Sequence, residues 1–172
     1  LDRSLGWTAR WLERWYGQPA PGGLDPIERA VPASIFDALR GDAAQRALAA
    51  SALGWPDAMA ASNAGEWATP VLATLLGDPY PAVRFHAKRA LARQPGQADL
   101  DVDFVAPDEQ RRAAAIAAIR RWRAHRARLG KPPNIGDLID AEALGPDEPR
   151  LTAEVFEELR RNRDDRPVLV RE

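Results

Sequence analysis

Cysteine is absent from the 172 residues, and lysine and histidine occur twice each and methionine once. Without cysteine there is no disulfide framework, thiolate-bound zinc, iron–sulfur cluster or cysteine nucleophile. That absence leaves the compartment open, with the cytoplasm favoured over a periplasmic or membrane-tethered location. His86 and His125 lie in arginine-rich stretches with no second His or Cys at helical spacing, so metal ligation is not expected. No apolar run approaches the ~20 residues of a membrane span, and no signal peptide is visible. The chain opens on Leu1 rather than Met, which leads us to expect a fragment or a processed product.

Catalytic signatures are missing as well. Gly130-Lys131 is followed by Pro132 where a phosphate loop needs Ser or Thr, and there is no GxGxxG, GxSxG or HExxH. Asp99, Asp101 and Asp103 begin like a calcium loop. The pattern fails at Phe104, where glycine is needed for the turn, and at Gln110, where a bidentate glutamate belongs. The expected protein is non-catalytic, with no cofactor and no metal.

What remains is lopsided: 33 alanines and 22 arginines. Abundant alanine with few β-branched residues predicts closely packed helices, an all-α fold. A chain of this length fits one domain with its own core. Charge divides by segment. Residues 1–83 carry 6 basic and 9 acidic side chains, residues 84–131 carry 12 and 5, and residues 132–172 carry 6 and 11. The acidic tail is expected to lie back over the basic middle, with residues 137–165 against the helix at 107–128.

Trp7, Trp11 and Trp15 climb one face of a first helix, Ser4 to Tyr16, with Leu5, Leu12 and Tyr16 widening it; Gly17 stops it. The stripe reads as a cap on the following helices, as a docking face formed by Trp7, Trp11, Trp15 and Tyr16, or as a membrane-surface anchor. The reading preferred is a cap with one edge of the arc left accessible. Helices follow from Asp25 to Arg40 with a break at Pro32, and from Asp42 to Leu53. Residues 55–65 read as a turn. Thr69 then caps a helix starting at Pro70, another runs Pro81 to Arg93, residues 94–106 are irregular, and a long helix spans Pro107 to Leu129. Shorter helices fit 135–144 and 152–163, with 167–170 extended. The whole divides into a Trp-rich cap (1–17), repeats (24–93), an extended segment with the arginine-rich helix (94–131), and a C-terminal helical extension (132–172).

An internal repeat underlies the middle. Arg46 and Leu53 are spaced as Arg84 and Leu91 are, each pair offset by 38 residues, and Gly41-Asp42 precedes the first as Gly77-Asp78 precedes the second. A third partial copy is suggested by Arg112 and Ile119. Pro70, Asp78 and Arg84 together resemble the HEAT signature of a proline, a turn aspartate and a second-helix arginine, over about residues 33–93. That resemblance to the HEAT/armadillo family implies a short α-solenoid of helical hairpins. It also implies a polar ladder built from Asp42, Arg46, Asp78 and Arg84.

The expected function is a protein–protein interaction or scaffold module, part of a larger bacterial polypeptide or complex, whose partner is another protein or another domain. The alternative is a nucleic-acid-binding module, resembling HEAT-like DNA glycosylases, that uses the basic region 84–131. Its candidate anion-binding residues are Arg120, Arg121, Arg123 and Arg128. Taking Ile116, Ile119 and Trp122 as the buried stripe, these arginines do not share one face, which argues against nucleic acid. Arg112 and Arg126 fall at the ends of that stripe and are expected to snorkel or to pair with the acidic tail.

Overall fold

The computed structural model describes residues 2–19, 22–130 and 152–168. Among them all extended regular structure is helical, so the chain is all-α; one isolated bridge joins Ser4 and Pro32. The expected helix at 135–144 lies outside the described residues, as do the last residues of the extended end.

Caps set most boundaries. α1 (Leu5–Tyr16) starts where the Ser4 hydroxyl accepts from the Trp7 N–H, and stops at Gly17, which takes φ 64°. α2 (Pro26–Ala30) opens on a reciprocal Asp25–Glu28 capping box, and Pro32 separates it from α3 (Ala33–Arg40). α4 (Ala43–Ala52) opens on a second box, Asp42 with Gln45. α7 (Pro81–Leu91) begins with proline at its first position, where no helical N–H is missed. α8 (Asp108–Arg128) is the longest helix, and α9 (Ala153–Arg161) is capped by the Thr152 hydroxyl.

Two expectations fail between α4 and α7. Residues 55–65 are not a turn: α5 (Pro56–Ser62) and a 3₁₀ turn (Ala64–Glu66) occupy them. Pro56 starts that helix and alanines carry it, but Met59 is its one large apolar residue, so no periodic face announces it. The next helix, α6 (Ala68–Leu75), begins two residues before Pro70, and Thr69 does not cap it. Trp67 decides the start. Its buried indole donates to the Ser62 carbonyl at 3.0 Å, which fixes the preceding turn. Pro70 then falls in the first turn, where backbone N–H groups have no helical acceptor anyway.

Thr69 is left fully buried with a hydroxyl that has no hydrogen-bond partner. Thr69→Val keeps the shape and removes the orphaned group, so it should raise the unfolding free energy by about 1 kcal/mol in a urea melt.

α9 lies on α3, α3 on α6, and α6 on α8; α4 packs on α3 and α7. The result is a row, α9–α3–α6–α8, backed by α4 and α7. α6 sits in its middle and is buried nearly all round, as a helix covered on several sides must be. Leu39, Leu53, Leu72, Leu76 and Leu91 fill the space between the layers; each such side chain stabilises the fold by ~1.5–3 kcal/mol. Small residues let the layers close. A Cβ on Gly54 would stand 2.8 Å from the Cα of Ala90 on α7.

Residues 94–106 are irregular, with Val102 buried and Leu100 and Phe104 half-buried as their alternation predicts. Buried glutamines hold the segment: Gln94 donates to the Leu53 carbonyl at 3.0 Å and Gln97 to the Ala118 carbonyl at 2.9 Å. In α8 the buried line runs through Ala118, Trp122 and Arg126, and Ile116 is half-exposed rather than core. Alanines there meet α6 more closely than isoleucine can.

Candidate functional site

Arg46 is completely buried, and all five of its N–H groups have acceptors. Nε and Nη2 donate to the two Asp78 carboxylate oxygens at 2.7 and 3.3 Å. Nη1 donates to the Gly41 and Asp164 carbonyls at 2.6 and 2.7 Å, and Nη2 also reaches Asp165 Oδ1 at 3.4 Å. Asp78 is equally buried, and its Oδ1 further accepts from the Tyr80 N–H at 2.9 Å, ordering the chain into α7. The expected cross-copy pairing of an aspartate with an arginine is therefore present, between Arg46 and Asp78.

Arg84 repeats part of this. Its Nη1 donates to the Asp78 and Pro79 carbonyls at 2.7 and 2.8 Å, and its Nε to the Phe104 carbonyl at 2.7 Å. Burial, reinforced by the nearby Arg111 charge, draws its pKa down; Asp78 opposes this. Asp42 does not join the ladder, because its carboxylate is spent on the α4 capping box. Arg112, the expected arginine of a third partial copy, does not make the equivalent contact. It is Arg111 whose Nη1 reaches the carbonyl five residues upstream, Ala106, as Arg46 reaches Gly41 and Arg84 reaches Pro79. Arg112 points outward and pairs with Asp108.

The Trp face is built on α1 alone. Ring centroids are 5.7 Å apart for Trp7–Trp11 and 4.7 Å for Trp11–Trp15, a continuous tilted stack. The Arg3 guanidinium sits 5.4 Å over Trp7 and that of Arg14 5.0 Å over Trp11. Trp15 and Tyr16 are 61% and 71% exposed, and Leu5 and Leu12 are about 40% exposed. The helix packs on α2 through the opposite side, at Ala9 and Gly6. The expected seal, with the tryptophans pressed on the first helix pair, is thus corrected. Gly6 and Ala9 allow a backbone-to-backbone approach on their side, and the Ser4 hydroxyl clinches it by donating to the Arg29 carbonyl. The bulkier indoles are left to cover one another.

That approach has a direct test. A Cβ on Gly6 would fall 2.8 Å from the Arg29 carbonyl oxygen and 2.9 Å from its Cα, both rigid backbone atoms. Gly6→Ala should lift α1 from α2, seen as faster amide exchange across residues 5–16 with little change over α6 and α7.

The arginines of α8 form no common row. Arg120, Arg121, Arg123 and Arg128 are exposed; Arg121 donates to the Asp99 carbonyl at 3.5 Å and Arg128 to its own helix at Ala124. Arg126 is buried against Glu66, donating to that residue's carbonyl at 3.2 Å. The described part of the tail is placed differently from expectation. α9 rests on α3, with Leu159 buried, instead of along α8, and residues 137–151 fall outside the described residues. Beyond α9, Asp164 donates its N–H to the Arg40 carbonyl at 2.9 Å, and Arg166 hydrogen bonds hold its carboxyl down to about 2. Between α9 and α8 an open cleft of about 450 Å³ runs over α3 and α6, with Arg160 and Arg163 on one wall and Arg112 and Ile116 on the other.

The roles of Asp164 and Asp165 were not visible to sequence reasoning, since one contributes a backbone carbonyl and both lie over a hundred residues from Arg46. Compared with family models, with curated proteins and with solved structures, the chain matches none of them.

Proposed function

We propose that this chain is a non-catalytic docking module, a short HEAT-like stack that offers the Trp7–Trp11–Trp15–Tyr16 face of α1 to an acidic segment of a protein partner or of another domain. The carrying observation is exposure along that stripe: Trp15 and Tyr16 are mostly exposed and Trp7 and Trp11 half-buried, while the contact with α2 is made at Gly6 and the buried Ala9. Contiguous aromatic surface of this kind is rare on a chain with nothing to bind, because each packed tryptophan buries on the order of 200 Å². The Arg14 guanidinium over Trp11, with Arg3 over Trp7 beside Asp2, favours an acidic partner. The HEAT-like reading rests on the two helix pairs, α3/α4 and α6/α7, stacked like on like, and on Arg46 and Arg84 at equivalent places in the second helix of each.

The test is a photo-crosslinking amino acid placed at Trp15 and, as a control, at Leu48, which is equally prominent on the outer side of α4. In source cells the first position should give one discrete protein adduct that fades in Arg3→Glu/Arg14→Glu, and the control should give none. Adducts of equal yield at both positions, or adducts to nucleic acid alone, would overturn the proposal.

A further inference from the structure

We draw no further inference here: the strongest candidate, the open cleft between α8 and α9, carries none, because Arg112, Arg160 and Arg163 on its walls each already pair with a carboxylate of this chain and nothing in the structure shows what fills it.

Discussion

Asp78→Ala is expected to lower the unfolding free energy by about 3–5 kcal/mol, the range for breaking a buried ion pair from one side. The carboxylate neutralises Arg46, whose side chain has no exposed surface, and its loss strands two buried guanidinium donors. It also removes the acceptor for the Tyr80 N–H. If Asp78 served only as a turn cap, the cost would be about 1 kcal/mol, so a urea melt separates the two roles by magnitude. The companion variant sharpens the test. Arg46→Met combined with Asp78→Ala leaves no charge stranded and should recover part of the loss, a coupling that independent sites would not show. Equal and additive losses would mean that the pair is not the unit that the geometry describes.

Trp122→Ala is the second large effect, about 3–5 kcal/mol for truncating a buried aromatic. Trp122 is 3% exposed, donates its indole N–H to the Glu66 carbonyl at 2.9 Å, and has the Arg126 guanidinium 5.8 Å from its ring centre. Truncation opens a cavity between α8 and the turn at Ala64–Glu66 and frees Arg126 from its ring. Chemical denaturation should show the loss in the main transition, because α8 packs directly on the central helix α6.

These cases show what the sequence made legible. Helices with a polar cap or a proline at the first position, such as α1, α4 and α7, were readable because a local hydrogen bond or the fixed angle of proline marks where each begins. α5 was not, since a run of alanines has no face. The start of α6 was misplaced because the hydrogen bond from the Trp67 indole to the Ser62 carbonyl, which no helix-start rule anticipates, fixes the chain just before Ala68. Pairing among Asp42, Arg46, Asp78 and Arg84 was implied by the resemblance to HEAT repeats, not by the repeat offset itself. The other partners of Arg46 were not readable, because Gly41 and Asp164 take part through carbonyls that every residue possesses.

The tryptophan stripe was legible as a stripe, but its direction was not. Gly6 and Ala9 settle the direction, and only a neighbour at Arg29 makes their smallness matter. The contrast with Trp122 therefore bears on the whole functional reading. Trp122 is 3% exposed, whereas Trp15 is 61% exposed, Trp7 and Trp11 are half-buried, and the three stack on one another beneath Arg3 and Arg14.

A denaturant melt of the chain carrying Trp7→Ala, Trp11→Ala and Trp15→Ala together tests most directly whether this face is reserved for a partner. A face that belongs to the surface predicts a change within about 0.5 kcal/mol, as for substitutions away from the core, with helix content kept by the good helix former alanine. A loss of about 3 kcal/mol or more, the size expected for a core aromatic, would show that the tryptophans hold the fold together and contradict the docking reading.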